Sequence, residues 1–339
     1  MNESDSEAVP VESTPLPSYK DRSTGLTIFG ILTLLLGGLC GLLILLMLVG
    51  QMAAARANPP PANFATILPV IILYGGLAVA LVWLGIGSIL ARRWARALLL
   101  IFSWSWLIVG LIAMASMAYV MPQVLAQQSA ADATPNHPAM PAAAMGVVMV
   151  FMFLFMGIFF ILLPLVWICF YKNPHVKATC EARDAVIRWT DACPLPVLAL
   201  CLWLLFGVPM LLLMPIVGHG VMPFFGMFLT GLPGSLLCLV MAALWTYAAW
   251  LLYKLDVRGW WLILIVFLVI TVSTLVTYAR HDIIEVYHLM GYPEAQIEQI
   301  QKTGLLRGHR MNWLTLFFML PFLVYTLFIK KYFRPKAPA

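Results

Sequence analysis

Three residues beside a long apolar stretch have the types and spacing to hold a metal ion. In the segment 280–288 (RHDIIEVYH), His281, Glu285 and His288 stand at i, i+4 and i+7. On a helix turning about 100° per residue, the three fall within about 60° of one another. Imidazole nitrogens and a carboxylate so placed can take Zn²⁺ or another transition metal, and Glu285 with His288 reproduces the Glu-x-x-His spacing of carboxylate-bridged metal bundles. His309 could add a fourth ligand from the start of the next apolar run. The plainer reading of the same residues is a solvated amphipathic segment that holds no cofactor.

A second group lies in the polar segment 175–193 (HVKATCEARDAVIRWTDAC). Its two thiols, Cys180 and Cys193, with His175 and nearby acids, could bind a metal or form a regulated disulfide. No paired Cys-x-x-Cys knuckle is present, and the plainer reading is a polar strap at the membrane surface. A third group is basic. Arg92, Arg93, Arg96, Lys254, Arg258, Lys330 and Lys331 sit in short segments between apolar runs, a pattern that reads as contact with anionic lipid rather than nucleic acid.

What must position these residues is set by composition. Of the 339 residues, 63% are hydrophobic and 10% charged, against roughly 25% charged in a soluble domain. Lipid is therefore the solvent for most of the chain. A spanning helix needs roughly 20 apolar residues, and such runs occur at about 24–49, 66–90, 97–121, 145–171, 196–217, 224–252, 259–280 and 311–329. The fifth contains Pro209 and Pro215, which remove helix hydrogen bonds. With eight spans, fifteen Lys and Arg fall on one side and five on the other, which puts both termini in the cytoplasm of a cell membrane.

The fold class expected is all-α and polytopic, with about eight transmembrane helices in two tandem, parallel four-helix repeats. Segment 90–98 (LARRWARAL) resembles 252–260 (LYKLDVRGW), and 162–171 (LLPLVWICFY) resembles 319–328 (MLPFLVYTLF), at spacings of 162 and 157 residues. The units run over 24–174 and 196–334, with a linker at 175–195, a disordered tail at 1–23 and a short tail at 335–339. Small residues four apart, Gly37 with Gly41 and Gly76 with Ala80, suit close helix packing within the bundle or in a homo-oligomer. The segment 293–301 (PEAQIEQIQ) reads as a short amphipathic helix begun by proline.

The spans hold almost no charge near mid-membrane, which disfavours an ion-coupled pump. There is no Gly-rich phosphate loop, nucleophile elbow or His-Glu-x-x-His helix, so no enzyme is expected. The strings TGLTIFGIL, HVKATCEARD and CPLPVLAL resemble a family of bacterial multi-pass membrane proteins with no established activity. The resemblance covers nearly the whole chain and implies an inner-membrane setting. The function expected is a non-enzymatic module that binds a partner membrane protein, lipid or apolar ligand. A passive solute path between the two repeats is the alternative, and a metal-dependent membrane enzyme is the weaker one.

Overall fold

The computed structural model describes residues 19–56, 64–131, 142–292, 294, 297, 298, 301 and 309–333. The chain is an all-α, multi-pass membrane protein, with eight helical segments long and apolar enough to cross a bilayer among the described residues. Helix α1 (Ser23–Arg56) and α2 (Phe64–Ile89) are followed by α3 (Arg93–Ala131). Helix α4 (Ala142–Gly157) passes through a π-turn at Ile158–Leu162 into α5 (Leu163–Lys172), and the two make one span. Pro164 has no N–H for the carbonyl of Phe160, and the widened turn just before it, closed by Leu163 N–H on Ile158 O, absorbs the missing bond. A short α6 (Pro174–Arg183) and a linker lead to α7 (Leu195–Val217), which runs unbroken through Pro209 and Pro215.

Two small strands, β1 (Met222–Phe224) and β2 (Met227–Leu229), pair antiparallel with Met222 opposite Leu229. Next come α8 (Gly231–Tyr253), α9 (Val257–Arg280), the short α10 (Ile283–Leu289) and α11 (His309–Ile329), ending in a 3₁₀ turn at Lys330–Phe333. The hairpin corrects the sixth expected span. Its first seven residues, 224–230, leave the helix, and Gly231, Pro233 and Gly234 lie in the first turn of α8. Gly231 has φ +61, and a side chain on Gly234 would meet the carbonyl of Gly220.

Each helix packs on its neighbour in sequence: α1 on α2, α2 on α3 and α3 on α5, then α7 on α8, α8 on α9 and α9 on α11. The α1–α2 crossing is antiparallel and close. A Cβ on Gly30 would lie 2.9 Å from the carbonyl of Gly85, and one on Gly37 would lie 3.1 Å from that of Ala78. The glycine pairs expected from the sequence contribute only Gly37, because nothing lies within 4 Å of a Cβ at Gly41 or Gly76. Gly110, outside that pattern, admits Phe160 of the π-turn instead, with a Cβ there 2.6 Å from its carbonyl. Such small-residue contacts replace the hydrophobic drive that lipid removes.

One buried cluster joins Leu26, Leu99, Trp167 and Tyr171 of the first four spans, and a second joins Val197, Leu198, Leu252, Trp260 and Ile329 of the last four. Leu195 and Leu202 pack against both. Trp203 Nε1 ties α7 to α3 by donating to Ser105 Oγ at 2.8 Å.

The turns α2–α3 and α8–α9 share one geometry. In the first, Ala91 N–H donates to Ser88 O at 2.9 Å and Arg92 N–H to Gly87 O at 2.9 Å. In the second, Leu255 N–H donates to Leu252 O at 2.9 Å and Asp256 N–H to Leu251 O at 3.0 Å. This is the paired bonding of a Schellman helix end. Each turn puts a non-glycine residue in the left-handed region, Ala91 at φ 52 and Leu255 at φ 58. Both are pinched at corresponding places: a Cβ on Gly87 would lie 2.6 Å from Ala95 Cβ, and one on Gly259 2.7 Å from Leu251 Cβ.

Candidate functional site

The end of the bundle bearing these turns is polar and tightly tied. Asp184, its side chain 1% exposed, receives Arg92 Nη1 at 3.6 Å and Arg188 Nη2 at 3.7 Å. It also accepts the backbone N–H of Arg93 at 3.3 Å, so it caps the first turn of α3 from the linker. Arg93 Nη2 reaches Glu181 Oε1 at 3.3 Å, and Lys177 Nζ lies 3.8 Å from the same oxygen. Asp191 Oδ2 accepts the N–H of Arg188 at 3.0 Å and lies 4.0 Å from Arg93 Nε. Of these groups, Arg93, Lys177, Glu181 and Asp191 line a cavity of about 240 Å³ whose wall also holds Arg96 and Thr190.

The N-terminal segment closes over this end. Residues 1–18 of the expected tail, and the short tail at 335–339, lie outside the described residues. Arg22 N–H donates to Thr179 Oγ1 at 3.1 Å, and Lys20 N–H to His175 Nδ1 at 3.4 Å. Asp21 pairs with Arg183 at 3.3 Å. Hydrogen bonds from the Ser23 backbone and hydroxyl, and then the Arg183 charge, hold the Asp21 carboxyl below its ordinary value.

The linker thiols are free, and they enter different clusters: Cys180 packs near Tyr171 and Val176, Cys193 near Val197 and Leu198. Burial pushes both up to about 11. For Cys180, the Arg96 charge opposes that rise. Of the basic residues assigned to lipid, Arg92, Arg93 and Arg96 are half-buried in this network, whereas Lys254, Arg258, Lys330 and Lys331 are exposed. Lys254 Nζ sits 4.0 Å from the Trp250 ring, Lys330 Nζ 4.7 Å from Trp260 and Lys331 Nζ 3.9 Å from Phe328. Ammonium groups over aromatic rings at a span's end suit the headgroup region.

At the opposite end, the single helical face expected for His281, Glu285 and His288 is broken. His281 ends α9 in an extended conformation, and Glu285 lies on the separate α10. His281 Nδ1 and Glu285 Oε2 are 2.7 Å apart, while Nε2 faces the Gly226 carbonyl at 3.0 Å. Both ring nitrogens thus face acceptors. His288 Nδ1 lies 3.4 Å from Glu294 instead. His309 begins α11, with its side chain outside the described residues. Among the described residues, no three His, Cys, Asp or Glu groups come together to hold a metal.

What His281 does here is fasten the hairpin, with help the sequence reading missed. The Phe225 N–H donates to Ser273 Oγ at 2.9 Å and the Gly226 N–H to Thr277 Oγ1 at 3.0 Å. Ser273, Thr277 and His281 recur every four residues on α9, a periodicity visible in the sequence but easily taken for ordinary helix polarity. Of the segment 293–301, only Glu294, Ile297, Glu298 and Gln301 are described, and Ile297 is buried.

Between the two sets of spans lies a cleft of about 870 Å³. Ala115, Ser116 and Val120 of α3 form one wall, and Phe267 of α9 with Trp313 and Phe317 of α11 form the other. Among the described residues, Ser116 and Thr271 are its only hydroxyl-bearing linings. No family model, curated protein or solved structure matches the chain.

Proposed function

We propose that the protein is a non-enzymatic membrane module that binds a lipid acyl chain in the cleft between two parallel repeats. The observation that carries this reading is the cleft's lining. Its 870 Å³ falls within the roughly 300–1,000 Å³ of ligand sites. Its walls are aromatic and aliphatic, and it opens among helices that face hydrocarbon. A path for a polar solute would need a polar lining, and among its described residues this one has two hydroxyls.

Support for the tandem repeat comes from the two Schellman turns, whose bonds, left-handed residue and pinch point correspond at a constant offset of 164 residues, two more than the 162 of the sequence alignment. The excess of Lys and Arg at that end supports a cytoplasmic placement of both termini.

The test is photolabelling in proteoliposomes made with phosphatidylcholine carrying a diazirine in its acyl chain. Labelled peptides should concentrate on α3, α9 and α11, and Ala115→Phe should reduce them several-fold. Labelling spread evenly over lipid-facing positions such as Leu35 and Val79, which are 64% and 72% exposed, would overturn the binding reading. Solute leakage above that of empty vesicles would replace it with the passive path.

A further inference from the structure

The polar cavity at the linker end contains two groups that the network leaves unanswered. Arg96 projects from the first turn of α3 into the cavity, and its Nε is shut off from solvent with no hydrogen-bond partner. Among the described residues, no carboxylate comes within 4.0 Å of its guanidinium. The nearest acids are already engaged: Glu181 by Arg93 and Lys177, Asp191 by the Arg188 N–H and Arg93. Thr190 lines the same cavity, is 2% exposed, and its Oγ1 also has no partner. Buried polar groups are nearly always satisfied, and those that are not point to a missing water or ion.

We propose that this cavity binds a phosphate group, held by Arg96, Lys177 and Thr190. Charge favours an anion: the lining carries Arg93, Arg96 and Lys177 against Glu181 and Asp191. The donor set favours one with several acceptor oxygens, since a guanidinium, an ammonium and a hydroxyl line the same cavity. The cavity's 240 Å³ is below the roughly 300 Å³ at which drug-sized sites begin, room for a head group and little more. Arg93 and Leu195 begin their spans here, so the site opens where lipid phosphates lie. The same chemistry would serve a soluble phosphate, and the site is separate from the apolar cleft.

The experiment uses the purified full chain in detergent micelles. Thermal unfolding is followed as inorganic phosphate replaces chloride at constant ionic strength and, separately, as phosphatidic acid is added with phosphatidylcholine as control. Native mass spectrometry counts retained lipid. Wild type should be stabilised by at least one of the two: inorganic phosphate assigns a soluble ligand, phosphatidic acid alone a lipid headgroup. Arg96→Gln should weaken that binding about tenfold or more. Thr190→Val should weaken it while leaving the unliganded melting temperature unchanged or higher, because its hydroxyl has no partner to lose. Lys254→Gln, at the same end but outside the cavity, should bind as wild type. No stabilisation by either probe, undiminished binding in both Arg96→Gln and Thr190→Val, or an equal loss in Lys254→Gln would overturn the assignment.

Discussion

The α2–α3 and α8–α9 turns have the same backbone and opposite dependencies. In the second, Asp256 caps its own helix by accepting the Arg258 N–H at 2.8 Å. Four residues further on, buried Trp260 donates Nε1–H to Thr326 O at 2.7 Å. In the first, the corresponding positions are Arg92 and Arg96. Arg92 cannot cap, so α3 borrows Asp184 from the linker, and Arg96 finds no protein acceptor. Likewise the buried Leu252 of the second half stands where the first half has Ser88, whose hydroxyl lies 2.7 Å from that of Tyr171. One turn is closed on itself. The other is completed by the linker and left with spare donors.

That dependence can be broken directly. Asp184→Ala removes a buried carboxylate answering two guanidinium groups and a helix N-terminus. Because Arg92 and Arg188 are 40% and 38% exposed and can rehydrate, we expect the low end of the cost of breaking a buried pair, about 3 kcal/mol. The fall in melting temperature in micelles measures it. Adding Arg92→Asp gives the first turn a cap of its own and should return about 1 kcal/mol. If it returns nothing, the two turns are not equivalent.

The pinch point gives the next largest effect. Gly87→Leu places a large side chain against Ala95 and should cost about 2 kcal/mol by overpacking. Adding Ala95→Gly rewrites the first turn in the pattern of Leu251 and Gly259, so most of the loss should be recovered. An unrescued double variant would show that the first turn depends on which side carries the glycine, and that the two turns are not interchangeable.

How much of this could be read from the sequence depends on whether the signal is local. The eight apolar runs and the basic turns carry their own period and composition, and each reappears as a helix or a helix end. The hairpin 222–229 was hidden because MPFFGMFL is as apolar as the helix it precedes. Only the Phe225-Gly226 corner, with φ 42 and 94, turns it back. Glycine spacing pointed to Gly41 and Gly76, but α1 and α2 approach most closely at Gly30 and Gly85. Glu181, Asp184 and Asp191 were visible as charges in the linker, and Thr190 was not visible at all. Which arginine each acid answers is a tertiary fact, decided by how the linker folds back on α3.

Asp256→Ala tests the self-contained turn and should cost only about 1 kcal/mol, the usual value of a helix cap, with no effect on the linker. The smallest effect separates the halves through their thiols. Cys180 and Cys193 are each raised from 9.0 to about 11, so folding favours the neutral thiol. Stability from this source is complete below pH 9 and is lost as pH rises toward 11, because the unfolded chain ionises first. At pH 8, iodoacetamide should therefore label neither thiol in the folded protein and both in denaturant, as read by mass spectrometry. In Asp184→Ala the linker loses its hold on α3, and labelling should rise at Cys180, beneath the linker, while Cys193, packed in the second cluster, stays protected. Equal exposure of both thiols would mean that Asp184 supports the whole bundle rather than one turn.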